Sequence, residues 1–240
     1  MSLAKNKIII SAIIPITDET YSLVKTLRIL IKENNQYIKE IIIVASKKIT
    51  TKSSLDHAKK LKLNYKKKIK IVFQKKPYFG GAMIEGFKYA KGSHILMIAS
   101  DLETHPKEVK KMIKELKKNK DLIIGASRWL KMGGFQQYNF IKLMFNFIFQ
   151  IFFKLFFFSN LTDFTFGFRI FPKKIIQKYL WKELKHPLCL ELILRPLKDG
   201  YKSIEIPVQW KPRQEGVSKN NFFDNFRYFW VGLKIRLSLY

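Results

Sequence analysis

The stretch Ile95-Leu-Met-Ile-Ala-Ser-Asp-Leu-Glu-Thr-His-Pro106 decides the fold, because an apolar run ends in two acids and a helical pattern begins directly after them. A short buried strand followed by a loop and a helix is the unit of an open α/β sheet, whose ligands bind at the carboxyl ends of the strands. We therefore expect Asp101 and Glu103 at a ligand-binding edge. Carboxylates there suit Mg²⁺ or Mn²⁺, which combine them with waters and substrate phosphates. Alternatively, both acids lie in the first helical turn and interact favourably with the helix dipole.

The same strand-and-helix unit recurs before this stretch. From residue 7 to about residue 125, short β-branched runs alternate with lysine-rich helical stretches, which predicts a mostly parallel, Rossmann-like α/β sheet flanked by helices. The predicted strands are 8–14, 40–44, 69–74, 94–99 and 121–124, and the predicted helices are 19–33, 53–63, 82–90 and 106–118. No linker rich in glycine, proline or serine divides the chain, so we expect a single domain over 1–240.

The composition bounds the possible partners. Of 240 residues, 46 are Lys or Arg and 18 are Asp or Glu, and the formal net charge of +28 predicts attraction to nucleic acid or to an anionic bilayer. A genome-wide bias toward Lys, Ile, Phe and Asn would give the same charge with no partner at all. The lysines are dispersed over many helices and no nucleic-acid motif is present, so we do not expect nucleic acid as a partner.

Cysteine and histidine usage excludes two kinds of site. The single cysteine, Cys189, excludes an internal disulfide and is compatible with a reducing cytosol. The four histidines show no metal-ligand spacing, so zinc is not expected. Residues 1–14 lack a signal-peptide cleavage pattern and are better explained by a first strand.

A phenylalanine-rich segment over 139–158 has the pattern of an amphipathic helix. Its polar residues recur every four positions, which places them on one helical face opposite a wide apolar face; they are Lys142, Asn146, Gln150 and Lys154. This pattern favours a helix lying in the membrane interface rather than crossing the bilayer, and the alternative is a core helix packed against the sheet. A second aromatic and basic segment over 221–240 favours a peripheral membrane protein.

Three loops carry residues that suit phosphate binding. Gly80 and Gly81 follow the third predicted strand and would let backbone amides face a diphosphate. The segment Thr162-Asp-Phe-Thr-Phe-Gly-Phe-Arg169 sets a carboxylate and a guanidinium around a glycine. The segment Arg213-Gln-Glu-Gly-Val-Ser-Lys219 offers a bidentate guanidinium and a lysine point charge for clamping a phosphate. Each of these loops alone is more often an ordinary solvated loop.

In this order, the motifs resemble those of the family 2 glycosyltransferases of GT-A fold. The resemblance covers about residues 8–220 and is strongest to the branch that includes dolichol-phosphate mannose synthase and bacterial polyprenyl-phosphate glycosyltransferases. It rests on the segments 11–19, 79–82, 162–169, 206–207 and 213–219. By this resemblance, about 7–128 form the nucleotide-sugar-binding half, and 129–220 form the acceptor half with the amphipathic helix 139–158. Residues 221–240 form a C-terminal amphipathic helix.

The resemblance implies an inverting hexosyltransferase that moves a sugar from a nucleotide-sugar to a polyprenyl (dolichyl-type) phosphate. Such an acceptor is already anionic, so it needs no tuned general base. The implied location is peripheral, on the cytoplasmic face of an anionic membrane, with a membrane subunit as a possible further partner.

The resemblance also assigns the site residues. The metal ligands, for Mg²⁺ or Mn²⁺, are Asp101 and Glu103. Residues that act on the donor diphosphate or the acceptor are Asp101, Arg128, Asp163, Arg169, Arg213 and Lys219, with Lys142 near the acceptor phosphate. Residues that bind the donor are Pro15, Asp18, Glu19, Gly80, Gly81, Ser100 and Ser218.

Two departures from the family pattern leave alternatives open. The family's Asp-x-Asp aligns with Ala99-Ser100-Asp101, so its first acid is missing. The acid that usually follows the second strand is replaced in Ala45-Ser46-Lys47. One alternative is transfer to a glycan hydroxyl, with Asp163 or Glu191 as the base. The other is a degenerate, non-catalytic member of the family.

Overall fold

A computed structural model describes residues 7–131, 134–216 and 224–239 of the chain. Its strands are β1 (Ile10–Ile16), β2 (Ile38–Ala45), β3 (Ile69–Phe73), β4 (His94–Met97), β5 (Ile123–Ser127), β6 (Arg169–Pro172) and β7 (Ser203–Pro207). Its helices are α1 (Tyr21–Asn34), α2 (Lys52–Asn64), α3 (Tyr78–Tyr89), α4 (Glu108–Lys118), α5 (Phe140–Phe156), α6 (Lys173–Lys178), α7 (Leu188–Lys198) and α8 (Asp224–Arg236).

Across the described ranges, the seven strands form one sheet in the order β3-β2-β1-β4-β6-β5-β7. Strand β1 is parallel to β2 and to β4, while β6 runs antiparallel between β4 and β5. From β1 the chain builds first toward β3 and then returns to the other side at β4. The strand order therefore reverses between β1 and β4, and open α/β sheets bind ligands in the crevice at that reversal.

Both faces of the central strands are buried, which explains their nearly continuous apolar sequence. Ile14 of β1 packs in one core layer with Leu27 of α1 and Met112 of α4. Ile13, on the opposite face of β1, packs in a second layer with Met83 of α3. Each of these fully buried side chains contributes about 1.5–3 kcal/mol by leaving water.

The predicted α/β fold is confirmed, and two strands were missed. The short strand β6 contains Arg169 and ends in Pro172, and β7 alternates Ser203 and Glu205 with isoleucines. Neither has the apolar run that marked the other strands. Helix α4 begins at Glu108, five residues beyond Glu103. The alternative that Asp101 and Glu103 form its first turn is therefore wrong.

Helix α5 matches the predicted helix over 139–158, but the middle of its polar stripe faces the protein. Gln150 is buried, and its Oε1 accepts a hydrogen bond from Phe164 N at 2.8 Å while its Nε2 donates to Thr165 Oγ1 at 3.2 Å. Gln150 Nε2 also donates to Asn146 Oδ1 at 2.7 Å. The large apolar side chains that are exposed on α5 are Phe140, Ile141, Met144, Phe145, Phe147, Ile148, Ile151, Phe152 and Leu155. This exposure contradicts the alternative of a core helix.

Helix α8 packs against α5 and shares its exposed aromatic surface. Phe149 of α5 contacts the rings of Tyr228 and Phe229, with centroid distances of 5.5 and 5.2 Å. A Cβ at Gly232 would lie 2.2 Å from the Phe153 ring, so the two helices approach closely there. The outer face of α8 exposes Phe226, Phe229, Trp230 and Leu233. Within the ranges given above, none of the helices is both long and apolar enough to cross a membrane.

Candidate active site

The acidic pair Asp101 and Glu103 lies beyond the carboxyl end of β4, beside the strand reversal. Asp101 is buried, and its Oδ1 accepts a hydrogen bond from Glu103 N at 3.1 Å. Arg213 donates from Nε and Nη2 to Glu103 Oε1 at 3.0 and 2.8 Å, and its Nη2 lies 3.4 Å from Asp101 Oδ2. Trp210 Nε1 donates to Glu103 Oε2 at 3.0 Å. Both oxygens of Glu103 are therefore engaged, and one guanidinium faces both acids.

Burial and charge shift the ionisation of these groups. Burial, with a smaller contribution from the Glu103 charge, raises the pKa of Asp101 to about 6. The pKa of Arg213 is lowered by burial but raised by more through the charge and hydrogen bonds of Glu103, so it stays above its ordinary value. The pair is thus an electronegative site that is already partly neutralised by an arginine.

Residues 211–216, here called the strap, cross from the acidic pair to the start of α1. Glu215 accepts hydrogen bonds from Thr20 N and Ser22 N, both at 2.9 Å, and from the Ser22 hydroxyl at 2.8 Å. The Thr20 hydroxyl donates to the same carboxylate. Partial burial raises the pKa of Glu215, but the hydrogen bonds from Thr20 and Ser22 lower it by more, to about 2. Glu215 therefore caps α1 as an anion at its positive end.

Glycine is required where the strap meets the turn after β1. Gly216 has φ +82°, and a Cβ there would lie 2.7 Å from Asp18 Oδ1. In the same turn, Glu19 Oε2 accepts hydrogen bonds from Thr17 N at 2.7 Å and from Asp18 N at 3.2 Å. Pro15, within β1, leads directly into this turn. The structure thus brings the predicted donor residues Pro15, Asp18 and Glu19 to the crevice, with one Glu19 oxygen used to hold the turn.

A second polar centre forms where β5 ends. Arg128 donates from Nε to Asp163 Oδ2 at 2.7 Å and from Nη2 to Asp163 Oδ1 at 2.8 Å. Its guanidinium carbon lies 4.5 Å from the centre of the Phe166 ring and 5.3 Å from that of Phe135. Burial lowers the pKa of Arg128, and the Asp163 charge and hydrogen bonds raise it by more, so the pKa is raised overall. Within the described residues, the side-chain hydrogen bonds of Arg128 use Nε and Nη2, and none is made by Nη1.

Glu205 of β7, to which the sequence analysis gave no role, holds the segment that carries Asp163. Its carboxylate accepts hydrogen bonds from Thr162 N and Thr162 Oγ1, both at 2.7 Å, and from Asp163 N at 2.8 Å. Glu215 and Trp210 were missed in the same way. A glutamate placed between isoleucines in a strand is the one signal that marks Glu205 in the sequence.

Two predicted site assignments are contradicted by the hydrogen bonds. Arg169 is buried, and its guanidinium donates to Cys189 O at 2.6 Å and Asp163 O at 2.7 Å, so it stabilises main chain instead of facing an acceptor. Gly80 N and Gly81 N both donate to Leu184 O, at 2.7 and 3.2 Å, and are not available to a diphosphate. The glycines instead allow close packing, since a Cβ at Gly80 would lie 2.5 Å from a main-chain oxygen.

Glu191 is likewise enclosed. Its carboxylate accepts hydrogen bonds from Glu183 N at 2.9 Å, from Lys182 N at 3.2 Å and from Arg195 Nη1 at 3.0 Å. Burial raises its pKa, which these contacts lower only in part. Glu191 therefore fixes the loop before α7 and is not placed to act as a base on a substrate.

The other predicted site residues are a buried serine, an exposed lysine and two residues outside the described ranges. Ser100 is fully buried, and its Oγ has no hydrogen-bond partner in the described ranges. Lys142 is exposed at the start of α5. Ser218 and Lys219 lie outside the described residues, so their contacts stay predictions.

The acidic pair fits a divalent cation in kind and in number of ligands. Mg²⁺ and Mn²⁺ prefer oxygen ligands and usually take one or two protein carboxylates, with substrate phosphates completing the shell. Nowhere in the described part of the chain do three or more His, Cys, Asp or Glu side chains form such a group. Asp101 Oδ2 is the most available oxygen, and Glu103 Oε1 becomes available only when Arg213 turns away.

An aromatic cluster joins the two polar centres to α5. Its ring contacts run from Phe147 to Trp129 at 5.4 Å, from Trp129 to Phe135 at 4.7 Å, and from Phe135 to Trp210 at 6.4 Å. Tyr138 stacks edge-on against Trp210 at 4.9 Å. Because Trp210 also contacts Glu103, the exposed face of α5 and the acidic pair border the same cluster.

Comparison with known proteins gives two results. Residues 11–180 match the family model of "Glycosyl transferase family 2". The fold is similar to glucosyl-3-phosphoglycerate synthase from Mycobacterium tuberculosis in complex with Mn²⁺, UDP and phosphoglyceric acid, with 13% identity, a TM-score of 0.72, and coverage of 97% of this chain and 80% of that chain. A complex of that synthase with Mn²⁺ and UDP-glucose gives 12% identity, a TM-score of 0.73, and coverage of 98% and 81%. A complex of the same synthase with Mg²⁺ and UDP gives 13% identity, a TM-score of 0.72, and coverage of 98% of this chain and 81% of that chain.

Proposed function

The chain belongs to glycosyl transferase family 2, and from this premise we propose that it transfers a sugar from a nucleotide-sugar to a polyprenyl-type phosphate, with inversion at the anomeric carbon. One observation carries the choice of acceptor. Asp163 is neutralised by Arg128 and Glu191 is enclosed, so neither is free to deprotonate a hydroxyl. The second polar centre instead offers a guanidinium nitrogen, which suits an acceptor that is already anionic.

On the donor side, the acidic pair and Arg213 would face the diphosphate of the nucleotide-sugar. Asp101 would hold Mg²⁺ or Mn²⁺, joined by Glu103, and the cation would neutralise charge on the departing nucleoside diphosphate. The three similar complexes contain such a cation with UDP or UDP-glucose, which supports this proposal. Arg213 is placed to contact the same phosphates, because it already lies on the acids that would hold the cation.

On the acceptor side, Arg128 is held rigidly and retains a free nitrogen. Its bidentate pairing with Asp163 and its contacts with the Phe135 and Phe166 rings fix the guanidinium. A fixed guanidinium orients a phosphate oxygen at little entropic cost, and this positioning is the main contribution that the site makes to an anionic nucleophile. Lys142, which is exposed at the start of α5, would add a second positive charge for the acceptor phosphate.

We further propose that α5 and α8 rest on an anionic membrane surface. Their exposed aromatic face is much larger than the scattered apolar side chains of an ordinary protein surface. Basic residues border this face, namely Lys142, Lys154, Lys234 and Arg236. Each such residue near an anionic surface contributes about 1 kcal/mol, so a few are enough for recruitment. The cytoplasmic face of a membrane, with or without a membrane subunit, is the location that we propose.

The test is an acceptor competition with the full chain. The protein is mixed with Mn²⁺, radiolabelled UDP-glucose or GDP-mannose, anionic vesicles that contain polyprenyl phosphate, and an equal amount of soluble 3-phosphoglycerate. We expect label in the lipid extract and loss of that label in Asp101→Asn. Label on 3-phosphoglycerate would overturn the lipid acceptor, and no transfer with any nucleotide-sugar would support the non-catalytic alternative.

A further inference from the structure

Arg213 occupies the position in which the acidic pair would meet a cation. Its Nη2 lies 2.8 Å from Glu103 Oε1 and 3.4 Å from Asp101 Oδ2, which places one positive charge between the two carboxylates. The side chain is only 26% exposed, so water screens these contacts weakly. A divalent cation on the same oxygens would be repelled by the guanidinium until the guanidinium moves.

The strap holds Arg213 in this position from its far end. Glu215, two residues further along, is fixed at the start of α1 by the main-chain and hydroxyl groups of Thr20 and Ser22. Gln214 N also donates to Asp101 O at 3.4 Å, and on the other side of Arg213, Lys211 N donates to Glu103 O at 2.9 Å. Removing Arg213 from the acids therefore requires either a rotation of its side chain or release of a segment that is fastened on both sides.

The strap carries one positive and one negative charge in the crevice, as a cation bound to a donor diphosphate would. Its guanidinium lies on the acidic pair, where the cation would bind, and its carboxylate lies at the positive end of α1. Strands β1 and β4, which lead to these two positions, border the strand reversal where open α/β sheets bind ligands.

We infer that Arg213 and the divalent cation compete for Asp101 and Glu103, and that the donor diphosphate ends the competition by giving Arg213 a new anionic partner. This inference rests on the proposed function and deepens it, since it makes cation binding depend on the donor. The free protein then binds the cation weakly, and the cation and the nucleoside diphosphate strengthen each other's binding by equal factors.

The experiment measures Mn²⁺ binding, not turnover. Free Mn²⁺ is followed by electron paramagnetic resonance in titrations of the full chain, first with Mn²⁺ alone and then with UDP or GDP present. We expect Arg213→Gln to bind Mn²⁺ alone about tenfold more tightly than the wild type, and the nucleotide to strengthen Mn²⁺ binding by a smaller factor than in the wild type.

Two further variants separate competition from a general loss of positive charge. Lys211→Gln removes the same charge from the same strap, but the Lys211 side chain is exposed and makes no described ion pair, so we expect unchanged Mn²⁺ affinity. Glu215→Gln weakens the far attachment of the strap without touching the acids, so we expect Mn²⁺ alone to bind more tightly. Thermal unfolding of each variant shows that it is folded.

The outcomes distinguish this inference from the proposed function. Equal Mn²⁺ affinity in the wild type and in Arg213→Gln would overturn the inference, as would an equal gain in Lys211→Gln. Sugar transfer that continues without any Mn²⁺ binding would overturn the inference and leave the transferase intact. The expected Mn²⁺ behaviour without transfer to any acceptor would overturn the proposed function alone.

Discussion

Replacing Asp163 with asparagine tests the second polar centre most directly. The Asp163 side chain is fully buried and that of Arg128 is 10% exposed, and two hydrogen bonds of 2.7 and 2.8 Å join them. Asparagine keeps one acceptor oxygen but removes the negative charge, so the Arg128 charge is left buried and uncompensated. Breaking a buried pair in this way costs about 3–5 kcal/mol.

That cost is large beside the stability of an ordinary domain, which is about 5–15 kcal/mol. For a chain of this size, each kcal/mol shifts the Tm by about 2–4 °C, so we expect Asp163→Asn to lower the Tm by roughly 6–20 °C. Urea unfolding followed by circular dichroism gives the free energy of unfolding, and a thermal scan gives the Tm.

A matched control uses the same substitution at an exposed pair. Asp121 is paired with Lys174 at 2.5 Å, and its side chain is 71% exposed. Exposed pairs contribute about 0–1 kcal/mol, so Asp121→Asn is expected to change the free energy of unfolding by no more than that. Equal losses of unfolding free energy in the two variants, or a loss below about 1 kcal/mol in Asp163→Asn, would contradict the expected cost of leaving the Arg128 charge unpaired.

Three other predictions concern the strap, the membrane face and the acidic pair. The pKa of Glu215 is about 2 in the folded chain against an ordinary 4.5, so its stabilising effect is present above pH 4.5 and is lost as the pH falls toward 2. The Tm of Glu215→Gln should therefore lie below that of the wild type at pH 7 and converge with it in acid; a difference that is constant with pH would contradict this. Phe152 and Phe156 changed together to Asp should abolish flotation with anionic liposomes, whereas Leu180→Asp, at an even more exposed apolar position outside α5 and α8, should not; flotation that survives the first change would exclude α5 as an anchor. Asp101→Asn should abolish sugar transfer without lowering the Tm at pH 7, because burial already disfavours the Asp101 charge; retained transfer, or a clearly lower Tm, would count against this placement.

The sequence was a good guide to the central sheet and a poor guide to what holds the site together. Strands β1, β2 and β4 lie in apolar stretches of sequence because both of their faces are buried, and that pattern is local. Strand β6 has four residues, and its place between β4 and β5 depends on pairing with distant segments. No local pattern reports such pairing.

The candidate site likewise combines residues that the sequence could reveal with contacts between distant residues that it could not. Asp101 was found because it follows an apolar strand, at the edge where ligands bind, whereas Arg128 was found only through the resemblance to the family. The attachment of Glu215 to Thr20 joins residues 195 positions apart, so no spacing rule could reveal it. Gly80 and Gly81 were misinterpreted because a glycine needed for close packing and a glycine needed for phosphate binding look the same in a sequence.

The inward-facing Gln150 couples the position of α5 to that of Arg128. It donates to Thr165 Oγ1, which also accepts a hydrogen bond from Arg128 Nη2 at 3.3 Å, so two side chains link α5 to the second polar centre. A helix rises about 1.5 Å per residue, so Lys142 lies roughly 12 Å along the axis from this link. If α5 rests on a bilayer as proposed, a roll or tilt of the helix would therefore also move the Arg128 guanidinium. In that proposed arrangement, lipid packing would govern the alignment of the two substrates as well as the residence of the protein on the membrane.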